Sequence, residues 1–341
     1  MTPDRLPGGT PSRLLWLLTL LITTLIVALV LGDGQDPRPS GTAEPSNARQ
    51  QQDAAGEHER MIPANPAGDR RSSVPIPGGR YPIGSNQGGS DEQPVHTVCL
   101  APFRIGRFEV TNAEFARFLN SLGVRPRSDA DAGEIGADSF SAQDARLFLE
   151  GDEDEEQRPL IALDDEHARI AIRDGRFVAA EGWAEHPVTE STWDGARRYA
   201  AWAGGRLPTE VEWEAAARGR PGRTSPWGDE PPTPRHAVFG RDGGQTLPIG
   251  SRPDGATPEG VHDLAGNVDE WTSSLYRPYP YHPNDEQERV MSAGERITRG
   301  GNHVYSSADE LRSAYRAGFS REPDRGHRHI GFRVVYPAGG Q

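Results

Sequence analysis

The sequence has a single cysteine, Cys99, and three methionines among its 341 residues. One cysteine excludes an intrachain disulfide, so packing or bound ions must stabilise the fold. Hydrophobic residues make up only 34% of the chain, beside 40 glycines and 30 prolines, which leaves less packed core than the length suggests. No basic stripe accompanies the net charge of -13, so we expect no nucleic-acid partner. The composition favours one domain with a tail rather than two domains.

Long apolar runs are absent after residue 31, but one precedes it. Residues 14–31 form an uncharged apolar run, close to the roughly 20 residues that a helix needs to cross a bilayer. Arg5 and Arg13 precede it and Asp33 and Asp36 follow it, so residues 1–13 are expected to be cytoplasmic. We therefore predict a signal-anchor helix at 14–32 in the inner or plasma membrane, with the rest of the chain periplasmic. A cleaved signal peptide is the alternative.

Two polar segments interrupt the chain. Residues 33–73 have almost no aromatic or β-branched residues, so they cannot bury enough apolar surface to fold and are predicted to be a disordered tether. Residues 129–166 contain 14 Asp or Glu but only two arginines, Arg146 and Arg158. Blocks of like charge repel one another, so we predict an acidic insertion that is a solvated loop.

Short local patterns predict several secondary-structure elements. Thr111 and Thr209 each stand three residues before a glutamate, the spacing of a capping box at a helix start. Residues 191–203 have apolar side chains at helical spacing ahead of Gly204. Asp174-Gly175 joins two β-like runs within residues 168–179, which predicts a hairpin with a type I′ turn.

A series of motifs follows one another along the chain. They are residues 82–85 (PIGS), 108–112 (FEVTN), 186–188 (HPV), 207–210 (LPTE), 226–229 (PWGD), 266–268 (GNV) and 331–333 (GFR). In this order they resemble the formylglycine-generating, or sulfatase-modifying factor, family over about three quarters of the chain. The resemblance implies an α+β, C-type-lectin-like fold, loop-rich, with few short strands and about two main helices, spanning residues 74–337.

The loop 263–270 alternates carboxylates with small residues, a pattern suited to an ion that prefers oxygen ligands. In the family it supplies calcium ligands, here side chains of Asp263 and Glu270 and backbone oxygens of Gly266 and Val268. The resemblance thus implies a structural calcium ion. A second family calcium site is not carried over, because residues 237–244 lack the asparagine usual near its start.

The family's reactive part is the segment after Gly300-Gly301. In formylglycine generators two cysteines five residues apart bind copper(I) there, whereas this chain has Tyr305 and Glu310 at those positions. Hydroxyl and carboxylate are poor copper(I) ligands, so copper is not expected. Asp269 also replaces a tryptophan usual in the family. The resemblance implies a ligand groove formed by Asp269, Asn302, His303, Tyr305, Glu310 and Arg312.

Other polar residues near the C-terminus have two interpretations each. His327 and His329 could be metal ligands, but two imidazoles alone under-coordinate a metal, which favours an ordinary hydrogen-bonding role. Arg312, Arg316 and Arg333 could bind an anion, although pairing with carboxylates of the chain is favoured.

Two functions fit this sequence. The first is a membrane-anchored, extracytoplasmic binding or assembly module in the cell envelope, with a protein or peptide ligand. The second is an enzyme of the family with different, metal-dependent oxidative chemistry that matures a periplasmic enzyme or metabolite. No complete catalytic set is visible, which favours the module.

Overall fold

The computed structural model describes residues 72–122, 146–148, 159–240, 244–282, 288, 293–316, 319–320 and 322–339. The predicted cytoplasmic segment 1–13, the anchor helix 14–32 and the tether up to residue 71 lie outside these ranges. Among the helices inside them, none has the length and apolar character needed to cross a membrane. The first strand within these ranges begins at Ser73, which pairs with Gly106 in a sheet.

The strands are short, as expected. They are β1 Ser73–Ile76, β2 Gly79–Ile83, β3 His96–Leu100, β4 Phe103–Gly106, β5 Arg146–Phe148, β6 Pro159–Ala162, β7 Ile170–Arg173, β8 Arg176–Ala179, β9 Asp269–Leu275, β10 Arg296–Arg299, β11 Phe319–Ser320, β12 Ile330–Gly331 and β13 Val335–Pro337. One antiparallel sheet has the order β1-β4-β13 and brings the two ends of the described domain together.

The second sheet, in the order β11-β10-β9-β12, positions the candidate site. Strand β9 pairs antiparallel with β10, where Glu270 lies opposite Arg299, and parallel with β12, where Asp269 lies opposite Ile330. Residues that follow β10 and residues that precede β12 therefore meet at the start of β9.

The described ranges contain three α-helices, not about two: α1 Asn112–Ser121, α2 Trp193–Trp202 and α3 Glu210–Arg218. Thr111, Thr192 and Thr209 cap their N-termini through side-chain oxygens, and α1 and α3 have complete capping boxes. Each cap satisfies backbone N–H groups that would otherwise lack partners.

The predicted hairpin is confirmed by β7 and β8, with Asp174 and Gly175 at φ 51° and 69°. The solvated-loop prediction for residues 129–166 is wrong for its last part. Strand β6 pairs with β5, and Leu160 and Ile161 are fully buried against α2 and its neighbours. Apolar residues between acidic blocks therefore take this stretch into the core.

Candidate functional site

The segment after β10 turns sharply at two glycines. Gly300 and Gly301 have φ of 108° and 76°, a region that favours glycine. A Cβ added at Gly300 would lie 3.3 Å from the Trp213 ring of α3. This close approach sets the path of residues 302–305 beside the start of β9.

Asp269 lies beneath this turn. Its carboxylate accepts hydrogen bonds from the Gly301 N–H at 2.9 Å and from Asn302 Nδ2 at 2.7 Å. Asn302 Oδ1 in turn accepts from the backbone N–H groups of Val304 and Tyr305. Burial raises the pKa of Asp269 to about 7, against these two hydrogen bonds. Asp269 thus fixes the turn with both of its carboxylate oxygens.

Tyr305 and Glu310, which the resemblance predicts to stand in place of two cysteines, have different environments. Tyr305 is 62% exposed, and its hydroxyl accepts a hydrogen bond of 2.9 Å from Arg328. The Glu310 carboxylate accepts from the Ser307 N–H at 2.6 Å and from the Tyr315 hydroxyl at 2.7 Å. Burial tends to raise the pKa of Glu310, but these hydrogen bonds lower it overall. Glu310 therefore caps a short 3₁₀ turn, whereas Tyr305 faces solvent.

Three histidines lie near Tyr305. The His303 ring is within hydrogen-bond distance of the Asn267 carbonyl, 2.7 Å from Nδ1. The His329 ring lies 5.1 Å from the Tyr305 ring and 5.7 Å from the His327 ring. Burial lowers the pKa of His329 to about 4, aided by His327, His303 and Arg328. His329 is therefore neutral at pH 7.

Arg312, Arg316 and Arg333 all pair with carboxylates, as the favoured interpretation predicted. Arg312, assigned above to the groove, donates to both oxygens of Glu92 at 2.8 and 2.7 Å. Arg316 pairs with Glu210 of α3, and Arg333 pairs with both oxygens of Glu270 at 2.6 Å. Arg316 and Arg333 are fully buried, so they are structural.

The residues implied in calcium binding lie around Arg333. Glu270 accepts from Arg333 and from Trp213 Nε1, and Asp263 Oδ2 accepts from the Gly250 N–H. Glu109, which the sequence analysis did not single out, lies near both carboxylates, and burial raises its pKa well above the usual range.

These residues fit a cation in two respects. Three buried carboxyl groups surround one guanidinium, and Glu109 Oε1 is buried with no hydrogen-bond partner among the described residues. In those same ranges, no group of three or more His, Cys, Asp or Glu side chains is arranged to hold a metal. A calcium ion would therefore take most of its ligands from backbone carbonyls, such as those of Gly266 and Val268. The position of Glu109 in the motif 108–112 is the sequence signal that could have identified it as a site residue.

A cavity of about 180 Å³ lies beside residues 302–305, which we call the Tyr305 segment. It is lined by His167, Arg169, Trp183, Pro187, Thr189, Gly244, Gln245, Thr246, His303 and Arg328. Of these residues only His303 was predicted to belong to the site. Pro187 lies in the motif 186–188, but no motif marks the remaining eight residues, because they come from separate segments of the chain.

Comparisons with known proteins place the chain in a family. The model of the sulfatase-modifying factor enzyme 1-like domain matches residues 58–338. The formylglycine-generating enzyme of Streptomyces coelicolor is 32% identical over 329 residues, which cover 89% of this chain and 96% of that enzyme. The serine/threonine-protein kinase Pkn1 of Chlamydia trachomatis is 35% identical over 247 residues, 71% of this chain, but the match spans only 34% of the kinase.

A solved structure agrees with this assignment. PvdO from Pseudomonas aeruginosa superposes with a TM-score of 0.54 at 25% identity, covering 82% of this chain and all of that one. The family model alone spans well over half of the chain. The chain therefore belongs to the sulfatase-modifying factor enzyme 1-like domain family.

Proposed function

We propose that this protein is a membrane-anchored, extracytoplasmic member of the family that acts as a binding or assembly module in the cell envelope. The observation that carries the proposal is the environment of Tyr305 and Glu310, the positions that the resemblance assigns to the reactive cysteines. Tyr305 is exposed and held by Arg328, while both oxygens of Glu310 serve as acceptors for Ser307 and Tyr315. With these contacts the segment 302–310 is suited to binding a partner, and Tyr305 and Glu310 are not placed as a reactive pair.

Formylglycine generation with copper is not part of this proposal. Copper(I) requires soft thiolate ligands, and the only cysteine of the chain, Cys99, is an exposed residue of β3. We expect the purified chain, supplied with copper and a sulfatase peptide, to produce no formylglycine by mass spectrometry. A relative that retains both cysteines serves as the positive control. Multiple-turnover conversion by this chain would refute the proposal.

The binding role is tested by partner capture from envelope extracts. Tyr305→Ala removes an exposed ring and is expected to lose partners that the wild-type chain retains. Val95→Ala, which truncates another exposed apolar side chain, is the matched control and should retain them. Identical partner sets for wild type and Tyr305→Ala would exclude a ligand surface at this segment.

A structural calcium ion at the loop 263–270 belongs to the same proposal. The excess of buried carboxyl groups around Arg333 and the unpartnered oxygen of Glu109 support it. The ion would neutralise charge that Arg333 alone leaves uncompensated. It would stabilise the scaffold without taking part in chemistry.

A second candidate function is an enzyme with different, metal-dependent oxidative chemistry. The ring contacts of Tyr305 with His329, and of His329 with His327, favour it, since imidazoles suit several transition metals. Metal analysis of the purified chain separates the two functions. A stoichiometric transition metal that is lost in His329→Ala supports the enzyme, whereas calcium alone supports the module.

A further inference from the structure

The cavity beside Tyr305 contains two arginines and an aromatic wall, and we name it the arginine pocket. Arg169 lies 4.4 Å above the Trp183 ring and donates to the backbone carbonyls of Glu166 and Ala168. Arg328 donates to the Tyr305 hydroxyl at 2.9 Å. Arg328 also lies 3.4 Å from His167 Nε2, so carbonyl, hydroxyl and imidazole groups orient the two guanidiniums.

The two guanidinium groups differ from the other arginines of the site in their charge partners. Within the ranges that the structure describes, no Asp or Glu oxygen forms a salt bridge with Arg169 or Arg328. This contrasts with Arg312, Arg316 and Arg333, each of which has a carboxylate partner. Arginines that line a cavity and lack such partners are suited to bind an anionic group bidentately.

The surroundings limit how much negative charge the pocket can accept. Glu190, the buried carboxyl near both arginines, has its pKa raised to about 8 mainly by burial, so it is mostly neutral at pH 7. Burial also lowers the pKa of His186, whose ring contacts Thr246 of the pocket wall. The exposed Asp164 and Asp165 lie close enough to influence Glu190. The positive charge is thus essentially that of two guanidinium groups beside acidic neighbours, which suits a singly charged anion.

The size of the pocket also favours a small anionic group. Its volume of about 180 Å³ is smaller than the ~300–1,000 Å³ typical of sites for whole small-molecule ligands. It can admit the end of one side chain, whose aliphatic part would contact Trp183. The hydroxyls of Thr189 and Thr246 add hydrogen-bonding groups to the wall.

We propose that the arginine pocket binds the carboxylate of an acidic side chain of a peptide partner, held between Arg169 and Arg328. The inference rests on the proposed binding function and adds the chemical class of the group that is recognised. Because Arg328 also contacts Tyr305, the exposed ring and the pocket form one continuous surface.

The test uses the full-length chain and two capped peptides, Ac-Gly-Glu-Gly-NH2 and Ac-Gly-Gln-Gly-NH2, with affinities measured by NMR titration at low salt. The glutamate peptide should bind at least about tenfold more tightly than the glutamine peptide, because charge-assisted hydrogen bonds exceed neutral ones by this order. This comparison needs no variant of the protein. Equal affinities would overturn the inference.

Substitutions then locate the site. Arg169→Gln and Arg328→Gln should each weaken binding of the glutamate peptide by about tenfold, with little effect on the glutamine peptide. Arg176→Gln, an exposed arginine at the start of β8, is the matched control and should bind normally. Unchanged affinity in both pocket variants would place the carboxylate elsewhere and refute the assignment.

Three further outcomes are decisive. If inorganic phosphate displaces the glutamate peptide at a lower concentration than acetate does, the pocket prefers a multiply charged anion and the inference fails. If the two peptides bind alike while partner capture still depends on Tyr305, the inference fails but the proposed function stands. If capture does not depend on Tyr305, the proposed function fails, whatever the peptides show.

Discussion

Glu190 combines two unusual properties in one residue, a left-handed backbone and a buried carboxyl group. Its φ is 60°, and it is only 2% exposed. Its backbone N–H donates to the His327 carbonyl, and its own carbonyl accepts from Ala162 of β6. Glu190 thus connects the strand from the acidic segment to the residues before β12. Burial and Asp165 raise its pKa to about 8, more than Arg328 and Arg169 lower it.

This raised pKa predicts that stability falls as pH rises. The folded state binds the Glu190 proton more tightly than the unfolded chain, whose pKa is about 4.5. The resulting stability is fully present below pH 4.5 and is lost as pH rises to about 8. Glu190→Gln should remove this dependence and increase the free energy of unfolding at pH 8.5 by about 2–4 kcal/mol. Urea denaturation from pH 5 to 8.5 measures it.

The control for this prediction is Glu181→Gln, which changes an exposed glutamate of a nearby turn. It should leave the pH profile of the wild type unchanged. A Glu190→Gln profile that parallels the wild type would show that Glu190 keeps an ordinary pKa in the fold.

Among the elements, helix α3 has an unusual role, because its buried face is charged. Glu210 pairs with Arg316, and Glu214 pairs with Arg299 and Arg218, all at 2.6 to 2.8 Å. Arg299 is the last residue of β10, and Arg316 follows the Tyr305 segment. Because each buried carboxylate has a guanidinium partner, the helix connects the site segment to the core without leaving an isolated charge.

The N-terminal cap of α3 should therefore affect more than the helix itself. Thr209 Oγ1 accepts from the Glu212 N–H, and the Glu212 carboxylate accepts from the Thr209 N–H. Thr209→Ala should lower the free energy of unfolding by about 1 kcal/mol. Thr209→Ser keeps the hydroxyl and should lose much less. Equal losses in chemical denaturation would mean that the methyl group, not the cap, is what matters.

On the scale of the whole molecule, small sheets and long loops surround two main hydrophobic clusters. One contains α1 and α2, and the other contains α3 with β1–β4. The loop 261–268 contributes Val261 and Leu264 to the second cluster and carries Asp263 and Asn267 at positive φ. Loops that are tightly folded in this way profit from an ion that fixes their carbonyl groups.

Calcium is accordingly predicted to raise the thermal stability of the protein. Chelation with EGTA should lower the Tm by several degrees, since a ligand at 100 times its Kd adds about 2.7 kcal/mol. Asp263→Asn should weaken or abolish this effect, whereas Asp254→Asn, at a half-exposed carboxylate that pairs with Arg235, should retain it. Identical melting curves with calcium and with EGTA would exclude the ion. Differential scanning calorimetry is the measurement.

Local patterns predicted much of the fold. The caps at Thr111 and Thr209 and the turn at Asp174-Gly175 lie where expected, because each depends on interactions over three or four residues. The expected number of main helices, about two, was too low. Strand β6 was missed because a net charge averaged over residues 129–166 conceals the apolar pair Leu160-Ile161.

The candidate site was predictable only in part. The motifs directed attention to the segment 300–312, and the single cysteine of the chain excluded a thiolate pair there, since these are properties of residue identity. Which carboxylate pairs with which arginine was not predictable: Glu92 and Arg312 are 220 positions apart. The contacts of Glu109 likewise depend on residues more than 150 positions away.

The sequence by itself determined the family, the capped helices and the absence of a copper(I) thiolate pair. Only the tertiary structure decided that Glu310 caps a turn while Tyr305 stays exposed. It also placed Arg169 and Arg328 in one pocket where, among the described residues, neither forms a salt bridge with a carboxylate. The physical reason is how far apart along the chain the interacting residues lie. Caps, turns and residue chemistry depend on neighbours along the chain, whereas charge pairing and cavities arise when packing brings distant segments together and removes their water.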